Sequence, residues 1–395
     1  MKSAYIMNKR CKEGFSMINL IKGPIYEHKH TKKLLHYLPS KSIVLLWHED
    51  LDGVAVNGLL EAKVKAVING KTSMSGRYNQ HHVRTLIQAG IPVFDMTTPD
   101  IDKKSFYQGE EAIVYSNELY VQAFGENEPH FISSLVSYDN ELLARKDRQA
   151  EANYSNQFQQ FVSNTLQYAE KECDWFTQQL EVPSSFNAIK SKDVFIVARN
   201  TNYEKDVKVL RHVLKQKDNV IIAVDGAADG LLKHKISPDF IIGDMDSISD
   251  RAIDCGATLL CHEHPNGHSP GRDRLKKLGV KVDVIRFVGT SEDVAITAAY
   301  NTGAKQIFLL GCRIGMVEFL EKGRAGMGST WLSRIQAGEK ITDLKGIHTL
   351  MKRRPFISLG FNRHNQVKPS LIESFQSLLP DKWTTLKKKE AFRHD

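Results

Sequence analysis

Two acidic stretches are the best equipped for chemistry: Val224-Asp225-Gly226-Ala227-Ala228-Asp229 and Gly243-Asp244-Met245-Asp246-Ser247. Each follows a short apolar run, 219–224 and 240–242, that reads as a buried parallel strand. Their carboxylates therefore fall at the carboxyl edge of a sheet, where open α/β folds bind ligands. Asp244 and Asp246 are two positions apart, so on extended backbone they leave the same side. Hard oxygen ligands facing one way suit a Mg²⁺ ion that keeps most of its waters and grips a polyphosphate. Transfer of a phosphoryl or diphosphoryl group needs positioning and charge neutralisation more than covalent chemistry, so no side chain has to be a nucleophile. The plainer alternative is a strand-end turn in which an Asp and Ser247 cap the next helix.

The elements that must hold these groups are legible around them. Apolar runs at 194–198, 220–224, 240–242, 258–261, 282–287 and 306–310, separated by helical stretches, predict repeated βα units. The expected fold class is α/β, a mostly parallel doubly wound sheet covered on both faces. Polar and glycine residues recur at the strand exits, including Arg199-Asn200, Gly289-Thr290-Ser291-Glu292-Asp293 and Gly311-Cys312-Arg313, as one shared cleft requires. Upstream, a strand at 42–47 ends at His48-Glu49-Asp50-Leu51-Asp52-Gly53. Further alternation to 94 and a hairpin at 112–115 and 118–123 predict a smaller α/β domain. Residues 1–40 read as an irregular basic stretch that packs as an edge element or forms a lead-in. A polar helical stretch from 140 to 180, with Phe158, Phe161, Val162, Leu166 and Ala169 at helical spacing, reads as a bridge that Pro183 ends. The expected organisation is an N-terminal α/β domain over 1–139, a helical linker over 140–190, an α/β domain over 191–345 and a basic tail over 346–395.

Composition bounds the rest. The chain has 395 residues, 41% hydrophobic and 25% charged, enough for two domains. Five scattered cysteines without a CxxC spacing point to a reducing, cytoplasmic compartment. No apolar run approaches the roughly 18–20 residues that cross a bilayer. Of the net charge of +8, the stretch from Lys345 onward carries +7, eleven Lys/Arg against four Asp/Glu. The remainder is nearly neutral, which argues against nucleic acid as a partner.

The acidic stretches resemble the catalytic domain of thiamine pyrophosphokinases, whose general plan archaeal pterin diphosphokinases share. The matching residues are Asp225–Ala228, the run from Pro238 and Asp239 through Gly243-Asp244-Met245-Asp246-Ser247, and Thr290-Ser291-Glu292-Asp293 at a helix start. The resemblance implies ATP or another nucleotide and Mg²⁺ as cofactors, with Asp225, Asp244 and Asp246 on the metal and Asp293 joining Asp244 and Asp246 in catalysis. Gly226, Thr290, Ser291, Arg313, Arg324, Ser329 and Thr330 are the accompanying nucleotide-binding candidates. Two features depart from that pattern. The stretch Gly311-Cys312-Arg313-Ile314-Gly315-Met316 keeps an arginine and lacks the Asp-His pair, and no β-rich thiamine-binding module follows Gly346. Thiamine as acceptor is thereby put in doubt.

A likeness over more of the chain is to SteA-type cytokinetic-ring proteins of Gram-positive bacteria. It rests on His48-Glu49-Asp50-Leu51-Asp52, Ser73-Met74-Ser75-Gly76-Arg77-Tyr78, the Asp244 stretch, Gly289–Asp293 and Phe319–Met327. It implies a setting in cell division or envelope separation, at the division site, with a division protein as partner. Two functions follow as expectations: a Mg²⁺-dependent diphosphotransferase with an unknown acceptor, or a non-catalytic scaffold or nucleotide sensor.

Other stretches admit two readings. Gly323-Arg324-Ala325-Gly326-Met327-Gly328-Ser329-Thr330 precedes a helix and either cradles an anion or forms a loop with a Ser cap; it lacks the Lys of a P-loop. Cys261-His262-Glu263-His264 with His268 alternates in direction along a strand, which disfavours a metal site against a turn on the cleft rim. His48, Asp50 and Asp52 with Ser73, Ser75 and Arg77 form a second anion or metal site or, more simply, helix caps with a salt bridge to Arg77. In the tail, Ser370, Leu371, Ile372, Phe375, Leu378 and Leu379 outline an apolar helical face, followed by Trp383 and Lys387-Lys388-Lys389. That face suits docking onto protein more than onto an anionic membrane surface.

Overall fold

The computed structural model describes residues 20–100, 106–246, 248–265, 267 and 269–351. The expected tail helix, together with Ser247 and His268, lies outside them.

The N-terminal part is a closed barrel, not an open α/β sheet with an appended hairpin. Its elements are β1 (Ile21–Glu27), α1 (Thr31–Tyr37), β2 (Ile43–Leu46), α2 (Gly53–Ala62), β3 (Ala66–Asn69), α3 (His82–Gln88), β4 (Val93–Met96), β5 (Gln108–Tyr115), β6 (Glu118–Gln122) and β7 (His130–Ser137). The strand order is β1-β2-β3-β4-β7-β6-β5, with β5 pairing back antiparallel onto β1. The stretch read as an irregular edge element or lead-in thus supplies the closing strand. Gly23-Pro24 in its middle hides it from propensity reasoning, since both residues weaken a strand. Closure leaves no edge exposed, and Ile25, Ile43, Leu45, Ile68, Val114 and Leu119 fill the interior.

Helix α4 (Asn140–Thr177) follows, 38 residues capped by Asp139, whose carboxylate accepts from the Leu142 N–H at 2.7 Å. It is a splint rather than a free linker. Its first half holds the barrel through Lys146 and Asn153, which donate to the carbonyls of Ser75 and Gly76, and through the Arg84–Asp147 ion pair. Its second half packs Phe161 on Phe319 and Phe176 on Phe287.

The second sheet comprises β8 (Asp193–Val197), α5 (Tyr203–Val209), α6 (Arg211–Leu214), β9 (Asn219–Val224), α7 (Ala227–Lys233), β10 (Phe240–Gly243), α8 (Asp250–Ile253), β11 (Thr258–Glu263), α9 (Pro270–Lys277), β12 (Asp283–Arg286), α10 (Ser291–Asn301), β13 (Gln306–Leu310), α11 (Met316–Leu320), α12 (Gly328–Ala337), β14 (Ile341–Asp343) and α13 (Ile347–Met351). All seven strands are parallel in the order β12-β11-β10-β9-β8-β13-β14, with an apolar cluster on each face. The order reverses between β8 and β13, so their carboxyl ends diverge at a switch point, where such sheets bind ligands.

Candidate active site

Asp225 leaves β9 with φ +45°, a left-handed conformation that costs a non-glycine residue about 1–3 kcal/mol and is tolerated chiefly where function requires it. Its carboxylate lies against Gly243 on β10: a Cβ added there would sit 1.6 Å from Asp225 Oδ1. Gly243 is glycine for that reason. Met245, also left-handed at φ +62° and fully buried, donates its N–H to Asp225 Oδ1 at 3.3 Å. Burying Met245 turns Asp244 and Asp246 outward on either side of it, both exposed at the cleft mouth. The Asp246 N–H donates to Asp244 Oδ1 at 3.1 Å, closing the turn.

Electrostatics mark the group as poised for a cation. Burial, then the neighbouring Asp244 charge, pushes the Asp225 carboxyl up to about 7. Burial also raises Asp244. Among the described residues no three His, Cys, Asp or Glu side chains are gathered tightly enough to hold a metal ion alone. Mg²⁺ does not need such a cage, because it is commonly held by one or two carboxylates with substrate phosphates and water completing its shell. Two neighbouring carboxylates on one cleft, Asp225 half-buried and Asp244 exposed, fit that donor set.

The cleft beside these acids has a volume of about 310 Å³. It brings together Asp225, Gly226, Asp244, Asp246, Thr290, Ser291, Arg313 and Arg324 from the sequence candidates. Asp293, Ser329 and Thr330 are not on its surface. Asp293 is 1% exposed and forms a capping box with Thr290, accepting from the Thr290 N–H at 2.8 Å, while its other oxygen finds no hydrogen-bond partner. Ser329 donates to Glu172 of α4. Gly289, at φ +89°, lets this turn close: a Cβ there would lie 2.4 Å from Ser329 Cβ. Gly326 and Gly328 admit the α4 backbone, since a Cβ on Gly328 would come within 2.6 Å of the Ala169 nitrogen. That glycine-rich stretch serves helix packing, and only Arg324 of it reaches the cleft.

Sequence reasoning missed several lining residues. Lys32 of α1 and Val54 of α2 come from the barrel, whereas Arg199, expected at a strand exit, and Lys322, beside the glycine-rich stretch, line the cleft from the second sheet's loops. Only the lysine density of 29–33 hinted at the first. Arg313 is tied down, its N–H donating to Glu292 at 2.7 Å and its guanidinium to the Arg199 carbonyl at 2.8 Å.

The His48 region resolves into structure. Asp52 caps α2, accepting from the Ala55 N–H at 2.7 Å, as the capping alternative expected. Its ionic partner is Lys322, not Arg77, which lies over the Tyr78 ring. Asp50 accepts from the Ser75 N–H at 2.7 Å and the Ser75 hydroxyl at 2.9 Å. In the β11 stretch, Glu263 is buried between Arg272 and Arg286, and His262 lies within hydrogen-bond reach of the Ser291 hydroxyl and the Phe287 carbonyl.

Comparison with known proteins agrees with this geometry. The family model of the thiamin pyrophosphokinase catalytic domain matches residues 210–264, which carry all three cleft aspartates. The chain is 26% identical over 147 residues to 6-hydroxymethyl-7,8-dihydropterin pyrophosphokinase of Methanocaldococcus jannaschii, covering 32% of this chain and 61% of that protein. It is 25% identical over 122 residues to the Pyrococcus furiosus protein of the same name, covering 31% and 49%. A solved thiamine pyrophosphokinase from Bacillus subtilis aligns at 22% identity and a TM-score of 0.25, over 38% of this chain and 59% of that one. The chain thus spans between 49% and 61% of the length of the curated relatives. The second sheet carries a thiamin pyrophosphokinase-like domain. No helix among the described residues is long and apolar enough to cross a membrane.

Proposed function

We infer that the chain binds a nucleotide with Mg²⁺ at Asp225, Asp244 and Asp246 and transfers a diphosphoryl group from ATP to an alcohol. The observation that carries this reading is the half-buried, left-handed Asp225 set against Gly243 beside Asp244, inside the stretch that matches pyrophosphokinases. Asp225 and Asp244 would hold the ion, which when bound neutralises phosphate charge. Arg324 and Lys32 line the same cleft and offer cationic groups to the phosphates. In the reaction the acceptor oxygen bonds to the β-phosphorus and the bond from that phosphorus to the α–β bridging oxygen breaks. The bridging oxygen leaves with the electron pair as part of AMP, and the hydroxyl proton passes to water.

The biological setting we infer is cell division or envelope separation. It is supported by the SteA-type likeness of 48–52, 73–78 and 319–327, three stretches that meet where the barrel adjoins the second sheet, through Asp52–Lys322 and Asp50–Ser75. A second reading, a nucleotide sensor without turnover, is favoured by one observation: the arginine retained after β13 is spent on Glu292 and a carbonyl.

Thermal denaturation with and without Mg²⁺-ATP tests the site. A stabilising shift is expected in the wild type, lost on Asp244→Asn with Asp246→Asn, since selective binding to the folded state must stabilise it. AMP release with an acceptor panel then separates enzyme from sensor. A wild type that Mg²⁺-nucleotide leaves unshifted refutes both readings.

A further inference from the structure

A second, larger cavity of about 890 Å³ opens directly beside the acidic cleft. The two share Lys32, Val54, Asp246 and Lys322 in their walls, so they adjoin. One wall of the larger chamber comes from the barrel, outside the residues matched to pyrophosphokinases: α1 and the segment before it contribute Lys29, Lys32, Lys33 and His36, all exposed. Among the described residues Lys32 and Lys33 form no ion pair, whereas the chamber's other cations, Lys322 and Arg274, are neutralised by Asp52 and Asp250. Unpaired ammonium groups on one wall of a concave space are a standing attraction for an anion.

The same chamber has an apolar floor. Trp47, Leu35 and Val54 line it. Trp47 is fixed, because its indole N–H donates to Glu27 at 2.9 Å and Gly70 presses on its ring. A carbon body can lie there while its charge meets the lysines.

We propose that this chamber is the acceptor site, and that the acceptor is an alcohol already bearing a phosphate group. The proposal rests on the diphosphotransfer reading above. The nucleotide's phosphates belong at Asp225 and Asp244, and a nucleoside is uncharged, so neither half of ATP accounts for a separate cationic wall. An acceptor with its phosphate on Lys29 and Lys33 and its hydroxyl towards Lys32 points the attacking oxygen at the acidic cleft. The barrel then supplies half of the active site.

The test uses the full chain and glycerol 3-phosphate as probe, with glycerol as its uncharged counterpart, each followed by broadening of its own ¹H lines. Glycerol 3-phosphate is expected to bind with and without a saturating Mg²⁺ complex of a non-hydrolysable ATP analogue, and glycerol not to bind. Lys29→Glu with Lys33→Glu should weaken the phosphate by about tenfold, as reversing two exposed charges implies, and leave the affinity for the ATP analogue unchanged. Both positions are exposed, so the variant should fold, which its thermal transition verifies. Equal binding of the probe to variant and wild type overturns the proposal. So does displacement of the probe by the ATP analogue, which would assign the chamber to the nucleotide's own phosphates. Failure of the diphosphotransfer reading registers separately, as an ATP analogue that does not bind while the phosphate probe still does.

Discussion

Lys322, from the loop after α11, reaches across to the barrel and donates to the Asp52 carboxylate at 2.5 Å, joining residues 270 positions apart. Asp52 also caps α2, so one carboxylate fixes both a helix start and the junction of the barrel with the second sheet. That junction is the boundary between the acidic cleft and the basic chamber.

The pair makes stability depend on acid. Burial alone would raise the Asp52 carboxyl, but the Lys322 charge and hydrogen bond outweigh it and hold it down at about 2. A depressed carboxylate stabilises the fold above its unfolded value near 4, and this contribution disappears as pH falls from about 4 to about 2. The shift corresponds to about 2 kcal/mol. Burial lowers the Lys322 ammonium despite Asp52, so the net worth of the pair at neutral pH is smaller than the carboxylate's share. Lys322→Met is expected to destabilise by about 2 kcal/mol at pH 7 by stranding Asp52 and to flatten the pH 2–4 dependence. Urea titrations of both proteins across that range measure it; an unchanged acid limb would contradict the assignment.

Asp225 predicts the opposite balance between stability and function. Its carboxylate is half-buried beside Asp244 on left-handed backbone, an arrangement that opposes folding when no cation is present. Asp225→Asn removes the charge and places there a residue that visits this conformation readily. In metal-free buffer the variant should be more stable than the wild type by about 1 kcal/mol or more and should show no stabilisation by Mg²⁺-ATP. A destabilised variant that still responds to the nucleotide would argue that Asp225 is structural.

Six of the second sheet's seven strands were readable from sequence because each is built on a short apolar run followed by a polar exit, so the Asp225 and Asp244 stretches could be placed at one edge; β14, with Ile341 as its one apolar residue, gave no such signal. The barrel was not. β1 carries Gly23-Pro24, and its partners β2 and β5 lie far apart in sequence, so closure is a tertiary fact without a local signature. For the same reason Lys32 could not be assigned to a cleft whose acids lie about 200 positions away. Asp293 shows the converse limit. A Thr-x-x-Asp spacing fits a ligand and a helix cap equally, and only burial puts it in the capping box.

Helix α4 makes a prediction about the glycine-rich stretch. Because Gly328 lies against the α4 backbone at Ala169 and Tyr168, Gly328→Val must push α12 away or strain both helices. The expected cost is about 3 kcal/mol, at the upper end of overpacking effects, with the acidic cleft intact once folded. Denaturant midpoints and Mg²⁺-ATP binding measured on the same preparation separate the two. If the stretch bound phosphate directly, nucleotide affinity would fall while stability held.

Gly243 joins fold and chemistry most directly. Any side chain on it must occupy the space of the Asp225 carboxylate, since the nearest oxygen is 1.6 Å from where a Cβ would stand. Gly243 ends β10, an inner strand between β9 and β11, and is paired with Cys261 of β11, which limits its retreat. In Gly243→Ala the movable partner is therefore the carboxylate, which has to swing away from Asp244 and lose the Met245 N–H. The overpacking cost is about 1–3 kcal/mol, small enough for the variant to fold. Its Mg²⁺-ATP thermal shift should vanish as completely as in Asp244→Asn with Asp246→Asn, although no charged group has been removed. A Gly243→Ala protein that keeps the full shift would show that the position of Asp225 against β10 is irrelevant to binding.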